Sequence, residues 1–197
     1  YGSAPSSCTK RVVIMLHEKE GAFKFVEIYL ERSPISYAPI SNDDDGYVLC
    51  ESRVICRYIE EKYADKGIQK LILNHSIEAK GLFEQAVSVE TANFDPHASL
   101  AAYEVLTKPA YTDTEALASC ISELKAMLDV YEGILSKQAY LAGDEVTLAD
   151  LFHVASGVRL QLAAIGAIET RPNVCRWFNS LTDRSSWKAI QTGMHHL

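Results

Sequence analysis

The spacing of apolar and polar residues changes between the first 60 or so positions and the rest of the chain. Residues 9–19 carry apolar side chains at helical spacing, and residues 23–30 are rich in aromatic and β-branched types, which favour strands. Two short apolar runs, 37–40 and 47–50, flank a polar stretch that ends in Asp-Gly and predict a β-hairpin. A second helix is predicted to follow Ser52, its candidate N-cap. The predicted order is therefore helix, strand, hairpin and helix.

The remainder of the chain is predicted to be helical almost throughout. Periodicity is lost over residues 64–75, which predicts a linker. Apolar steps of three and four then predict one helix over 77–106, bent or broken near Pro96, and another over 114–135. Both have the pattern of bundle helices.

Two further helix starts are visible near the end of the chain. Thr147 and Asp150 have the spacing of a capping box, so Asp150 is predicted to be structural, and Pro172 stands where a further helix would begin. The contrast between the two halves predicts two domains, residues 1–66 and residues 75–197.

Charge and cysteine content narrow the possible partners. The 197 residues carry a net charge of −7, which repels both nucleic acid and anionic membrane surfaces. No apolar run approaches the roughly 18 residues that span a bilayer, so no membrane partner is expected. Five cysteines without CxxC or Cys/His spacing predict neither a disulfide framework nor a metal site, and they favour a reducing cytoplasm.

Seven short strings spread over nearly the whole chain occur together, in this order, in one known family. They are YGSAPSSCTKRV (1–12), AP (38–39), ESR (51–53), ANFDP (92–96), YLAGD-x-x-TLADL (140–151), RPNV (171–174) and WK (187–188). In these strings the chain resembles glutathione transferases, most closely those of the phi class. The resemblance implies a thioredoxin-like α/β N-terminal domain followed by an all-α C-terminal domain, the cytosolic glutathione transferase fold. It also implies a homodimer.

The resemblance assigns a catalytic role to Ser6, at the opening of the first helix. Its hydroxyl would donate a hydrogen bond to the glutathione thiolate without forming a covalent bond. A cysteine-like thiol starts near pKa ~8.5, and lowering it by about two units needs roughly 2.7 kcal/mol. A hydrogen bond to a charged acceptor supplies ~1.5–3 kcal/mol, and a helix N-terminus adds ~0.3–1 kcal/mol. Ser7 is the alternative donor, and simple N-capping is the alternative role for this serine cluster.

Glutathione-binding positions follow from the same resemblance. The Ser52 hydroxyl and the first N–H groups of its helix suit the γ-glutamyl carboxylate, and the Glu51 carboxylate suits the adjacent ammonium. Pro39 would be cis and would aim the backbone of Ala38 at the cysteinyl unit. The alternatives are a surface charge for Glu51, a helix cap for Ser52 and an ordinary trans turn at Pro39.

The chain departs from the family pattern in the connection around Ser33 and Pro34. A loop and a short helix that hold the glycine end of glutathione in the family have no counterpart there. Either this connection is shortened in the molecule, or a segment of the molecule is missing between Ser33 and Pro34; we favour the second. Tyr37 also stands where the family usually has a glutamine.

For the pocket of the electrophile we predict Pro5 beside the thiolate, with Phe94 and His97 near the Pro96 bend, although an aromatic residue on a helix is as often part of the core. The predicted enzyme conjugates glutathione, as co-substrate, to small hydrophobic electrophiles and reduces peroxides at the same site, with no metal and no further cofactor. The alternative is a non-catalytic carrier of hydrophobic ligands, or a glutathione-transferase-like interaction module.

Overall fold

The computed structural model describes most of the chain, in the ranges 1–28, 41–42, 45–67, 70–108, 110 and 112–191. Contacts divide the chain into two compact units. Unit 1 comprises Tyr1–Ile72 and Asp183–Leu197, and unit 2 comprises Leu73–Thr182. The domains predicted from the sequence, 1–66 and 75–197, stay a prediction; by contacts, the helix after Asp183 belongs to unit 1.

Within the described residues, helices dominate and the sheet is small. In chain order the elements are α1 (Ser7–Glu18), β1 (Ser41–Asn42), β2 (Val48–Leu49), α2 (Ser52–Lys62), α3 (Ile77–Val89), a π-helical turn (Glu90–Phe94), α4 (Asp95–Thr107), α5 (Thr114–Leu135), α6 (Leu148–Leu151), α7 (Val154–Leu162), α8 (Pro172–Thr182) and α9 (Ser185–Gln191).

A hairpin is present in unit 1, but its described first strand, Ser41–Asn42, lies in the stretch that was predicted to be the turn. β1 and β2 pair antiparallel, with Ser41 opposite Leu49 and Asn42 opposite Val48. The predicted run 37–40 and the short connection at Ser33 lie in residues 29–40, outside the described part of the chain.

The described part of the predicted strand over 23–30 forms a single bridge instead of a strand. Residues 23–28 form one isolated parallel bridge, in which Gly2 N donates to Val26 O at 3.0 Å and Ile28 N donates to Gly2 O at 2.8 Å. Strand-forming residues become a strand only when a neighbouring backbone supplies the ladder. In the described residues, that neighbour is a single glycine.

Helix α1 is the centre of unit 1 and packs against both α2 and α9. Its residues Val12, Val13, Ile14 and Met15 are all buried, so it is covered on more than the one face that the periodicity predicts. At its end, Glu18 accepts two hydrogen bonds from Arg184, from Nε at 2.7 Å and Nη2 at 2.6 Å. This bidentate pair fastens the start of the last helical segment to α1.

Unit 2 is a helical bundle in which α4 packs on α5 and α7, and α5 packs on α8. The irregularity predicted near Pro96 is present, since a π-helical turn ends at Phe94 and Pro96 lies in the first turn of α4. Proline lacks an N–H and crowds the carbonyl four residues earlier, and the wider turn accommodates both effects. Helix α5 has the predicted bounds, and Asp113 caps it by accepting from Ala116 N at 3.0 Å.

The predicted capping box is also present, and Asp150 is structural. Thr147 is the N-cap of α6, and the carboxylate of Asp150 accepts from Thr147 N at 2.9 Å. The helix that it opens is short, because α6 ends at Leu151 and α7 begins separately at Val154. None of the described helices is both long and apolar enough to cross a membrane.

Candidate active site

Ser6 occupies the N-cap of α1, where its extended backbone begins the helix. Its Oγ accepts a hydrogen bond from Thr9 N at 3.4 Å, a use that leaves the hydroxyl proton available to donate. The approach to Ser6 is held in place by two contacts, Ser3 N to Thr9 Oγ1 at 3.2 Å and Ala4 N to Glu27 Oε1 at 3.0 Å. Ser6 therefore has the N-capping role that the sequence left as the alternative, and this role is compatible with donation to a ligand.

The residues beside Ser6 are less buried than the body of α1. Pro5 is exposed directly before it, and Ser7 and Cys8, the first two residues of the helix, are half-buried. The sequence alternative of Ser7 as donor stays open, because both hydroxyls lie at the same end of α1.

The start of α2 differs from the prediction by one residue. Glu51 is the N-cap, with no capping hydrogen bond from its side chain, and Ser52 is the first helical residue. Glu51 has φ 69° and ψ 107°, and this left-handed φ is unusual and strained for a residue other than glycine. Such strain costs ~1–3 kcal/mol and concentrates at ligand sites. Glu51 is exposed, whereas Ser52 is buried.

Arg11 connects α1 with Ser52 at the start of α2, and sequence reasoning missed it. Its Nη1 donates to Ser52 Oγ at 2.9 Å and lies 3.6 Å from Cys8 Sγ. Arg11 has an exposed fraction of only 2%. The available signal was the run of four apolar residues after it, Val12 to Met15, because a helix buried on several sides also buries its polar residues.

Cys56 lies on α2 close to this cluster, and its Sγ donates to Arg11 O at 3.6 Å. Burial raises the pKa of the Cys56 thiol to about 12, despite the nearby guanidinium of Arg11. The Cys56 thiol therefore stays protonated near neutral pH, and it has no thiolate with which to attack a substrate.

The other predicted site residues lie outside the described residues or in unit 2. Ala38 and Pro39 lie outside the described residues. Phe94 belongs to unit 2, is 1% exposed, and its ring centroid lies 4.4 Å from that of His153. The burial of Phe94 favours the core alternative that the sequence left open, and its place in the pocket stays a prediction. His97 is half-buried on α4, and its role stays a prediction.

His153 is the second polar group that sequence reasoning missed. It is fully buried in unit 2, with Nδ1 at 2.8 Å from Ala149 O and Nε2 at 3.1 Å from Tyr131 Oη. A carbonyl only accepts, so Nδ1 carries the proton and Nε2 accepts from the tyrosine. Burial lowers the pKa of His153 and raises that of Tyr131, which keeps both groups neutral.

A cavity of about 280 Å³ lies elsewhere in unit 1, lined by α1, residues 22–26 and α2, and its walls include neither Ser6 nor Ser52. The chemistry predicted from the sequence therefore lies outside this cavity. The described residues contain no cluster of His, Cys, Asp or Glu that could hold a metal ion.

Comparisons with known proteins agree along the whole chain. Family models for the N-terminal and C-terminal domains of glutathione S-transferases match residues 1–67 and 94–184. Glutathione S-transferase PM239X14 of Arabidopsis thaliana is 38% identical over 193 residues, which cover 90% of this chain and 88% of the relative.

Solved structures give the same result. Glutathione transferase F7 from Populus trichocarpa has a TM-score of 0.89 at 30% identity, covering 99% of this chain and 98% of its own. Maize glutathione S-transferase I, in complex with an atrazine glutathione conjugate, has a TM-score of 0.87 at 28% identity, covering 98% of this chain and 96% of its own.

The predicted fold class, a thioredoxin-like domain followed by an all-helical domain, is confirmed by these matches. Of the two functions that the sequence left open, the relatives support the enzyme over the non-catalytic carrier. The chain therefore belongs to the glutathione S-transferase family, with relatives in its phi class, and is a glutathione S-transferase enzyme.

Proposed function

We propose that this transferase ionises the glutathione thiol through the hydroxyl of Ser6 and adds the thiolate to small hydrophobic electrophiles. The observation that carries the proposal is the position of Ser6 at the N-cap of α1, with its oxygen accepting from Thr9 N. The hydroxyl proton is then free to donate to a sulfur. A thiolate at this end of α1 also benefits from the positive end of the helix dipole.

The γ-glutamyl end of glutathione is assigned to the start of α2. The Ser52 hydroxyl and the first N–H groups of α2 would bind its carboxylate, and the exposed carboxylate of Glu51 would bind its ammonium. The unusual backbone of Glu51 supports this assignment, because strain of this kind concentrates at ligand sites. Ala38 and Pro39 are proposed to bind the cysteinyl unit through the backbone.

Aromatic electrophiles with a leaving group are the proposed substrate class. The maize relative was solved with the glutathione conjugate of atrazine. Pro5 and His97 are proposed to contact the electrophile in this chain. The same thiolate would attack the O–O bond of a hydroperoxide, releasing an alcohol and a glutathione sulfenic acid that a second glutathione converts to the disulfide and water. Peroxide reduction is therefore part of the proposal.

The proposed setting is detoxification in the cytoplasm by a homodimer. The five cysteines carry free thiols, and a reducing compartment such as the cytoplasm would keep thiols in this form. Leu100 and Tyr103 are exposed one turn apart on α4, and apolar side chains at this spacing suit the surface of a second copy. Sedimentation of the purified chain at micromolar concentration tests the dimer, and a monomer would contradict it.

Ser6→Ala tests the catalytic assignment, with Ser7→Ala as the matched control on the same helix end. Losing a hydrogen bond to the thiolate costs about 1.5–3 kcal/mol, so the pKa of bound glutathione should rise by roughly one to two units. At neutral pH, kcat/KM with a chromogenic aryl halide should fall about 10- to 100-fold in Ser6→Ala and change little in Ser7→Ala.

The pH profile of kcat/KM separates this effect from a loss of fold, because a folding defect lowers the rate without moving the apparent pKa. Equal profiles for Ser6→Ala and the parent would refute the role of Ser6. A shifted profile in Ser7→Ala alone would move the assignment to its neighbour.

A further inference from the structure

Arg11 is the buried charged residue that connects α1 with the start of α2. Its exposed fraction is 2%, and it precedes the buried apolar run of α1. Burying a guanidinium is costly unless its hydrogen bonds are satisfied, and an apolar residue often stabilises such a position equally well. The charge at position 11 therefore calls for a reason beyond packing.

The contact between Arg11 and Ser52 determines where the hydroxyl proton of Ser52 points. Nη1 lies 2.9 Å from Ser52 Oγ, and both side chains are buried, with 2% and 4% of the residue exposed. A guanidinium can only donate, so Ser52 Oγ is the acceptor. The hydroxyl proton of Ser52 must then point away from Arg11, where it can meet a further acceptor. Donation from a cation also polarises the hydroxyl and strengthens it as a donor.

The start of α2, where the Ser52 hydroxyl can donate its proton, is suited to binding an anion. Ser52 is the first residue of α2, and the N-cap before it, Glu51, makes no capping hydrogen bond with its side chain. The first N–H groups of a helix without such a cap bind carboxylates well. A carboxylate at this position would meet the Ser52 hydroxyl, the helix N-terminus and the positive field of Arg11 together.

We propose that Arg11 is a positioning residue for glutathione, because it holds the Ser52 hydroxyl as a donor to the γ-glutamyl carboxylate. This inference rests on the proposed function, in which Ser52 contacts that carboxylate. Arg11 itself acts through Ser52 and does not touch the reacting sulfur. The competing role is a purely structural clamp between α1 and α2, since Cys56 Sγ of α2 also donates to Arg11 O, at 3.6 Å.

A double-mutant cycle between Arg11→Met and Ser52→Ala separates the two roles. If Arg11 acts through Ser52, Arg11→Met should raise the KM for glutathione about 10-fold, the equivalent of one charge-assisted hydrogen bond. At saturating glutathione, kcat and the KM for the electrophile should stay within about threefold. In the Ser52→Ala background, Arg11→Met should raise the KM for glutathione no further.

Binding of a glutathione analogue tests whether Arg11 acts on the α-carboxylate of the γ-glutamyl group. The analogue in which a 4-aminobutyryl group replaces the γ-glutamyl group lacks the α-carboxylate, and calorimetry measures its binding to the parent and to Arg11→Met. The parent should bind this analogue more weakly than glutathione, and Arg11→Met should bind it as the parent does. An equal loss for glutathione and the analogue in Arg11→Met would overturn the proposal.

If Arg11→Met does not fold, Arg11→Lys tests the same proposal. Lysine keeps the charge and N–H donors but lacks the planar fork of the guanidinium, so the KM for glutathione should rise about threefold, and only when Ser52 is present. Additive effects of the two substitutions, or a lower kcat and melting temperature with an unchanged KM, would show a structural clamp and overturn the proposal. A parent without any glutathione-dependent rate would instead refute the proposed function itself.

Discussion

Replacing Asp150 tests whether the helical unit depends on a single buried carboxylate. Asp150 has no exposed surface. Its Oδ1 accepts from Leu141 N at 3.0 Å and Trp177 Nε1 at 2.9 Å, and its Oδ2 accepts from N and Oγ1 of Thr147, both at 2.9 Å. In Asp150→Ala all four donors lose their acceptor at once. These donors connect the segment before α6, the cap of α6 and the middle of α8.

The magnitude follows from the number of donors. A buried donor without a partner costs ~1–3 kcal/mol, so four donors cost about 4 kcal/mol even at the low end. Removing a buried charge returns part of this cost, and water entering the new space returns more. We expect Asp150→Ala to lower the free energy of unfolding by about 3–5 kcal/mol, a large share of the ~5–15 kcal/mol of a typical domain. Asp150→Asn keeps one carbonyl oxygen and should lose about half as much.

Urea unfolding followed by tryptophan fluorescence measures this loss. Trp177 belongs to unit 2 and Trp187 to unit 1, so a Trp187→Phe background makes the signal report on unit 2 alone. Asp144→Ala is the control, because Asp144 is exposed and accepts a single hydrogen bond from Ala139 N, at 3.3 Å. That variant should change stability by less than about 1 kcal/mol. Equal, small losses in Asp150→Ala and Asp144→Ala would refute the reasoning.

Two further predictions concern the same helical unit. Burial lowers the pKa of His153 below its ordinary 6.5. Below pH 6.5 the histidine is therefore protonated in the unfolded chain while it is still neutral in the folded chain. The free energy of unfolding should hold above about pH 6.5 and fall as pH decreases below it. His153→Gln should flatten this dependence of the urea midpoint, and an unchanged slope would contradict the assignment. A methyl group on Gly157 would meet the ring of Phe178, so Gly157→Ala should lower the free energy of unfolding by about 1–3 kcal/mol. Gly133 has open space around it, so Gly133→Ala is the control and should raise the free energy of unfolding by ~0.5–1 kcal/mol. Equal urea midpoints for the two variants would show that the ring of Phe178 moves aside freely.

Elements that depend on local pattern were predictable from the sequence. Helix α5 has the predicted bounds because its apolar stripe repeats over many turns, and the capping box at Thr147 and Asp150 needs only its own four residues. The predicted strand over 23–30 is different, since a strand requires a partner from elsewhere in the chain. In its described part, the partner is Gly2 alone.

The candidate site was predictable only in part, for a similar reason. Ser6 and the Glu51-Ser52 pair were found from their strings, but the left-handed backbone of Glu51 moved the helix start by one residue. The role of Arg11 depends on Ser52, which lies 41 residues away, so no local pattern contains it. The burial of Phe94 against His153 likewise depends on a distant residue, so the sequence of one helix could not decide between core and pocket.

The bidentate contact between Glu18 and Arg184 also constrains the order of folding during synthesis. Unit 1 is assembled from two stretches of chain separated by the whole of unit 2, whereas unit 2 is continuous in sequence. A chain emerging from the ribosome can therefore finish its second unit before its first, because Arg184 leaves the exit tunnel long after Glu18. Until Arg184 emerges, Glu18 at the end of α1 has no guanidinium to bind. A chaperone that binds the nascent chain would therefore bind an incomplete first unit.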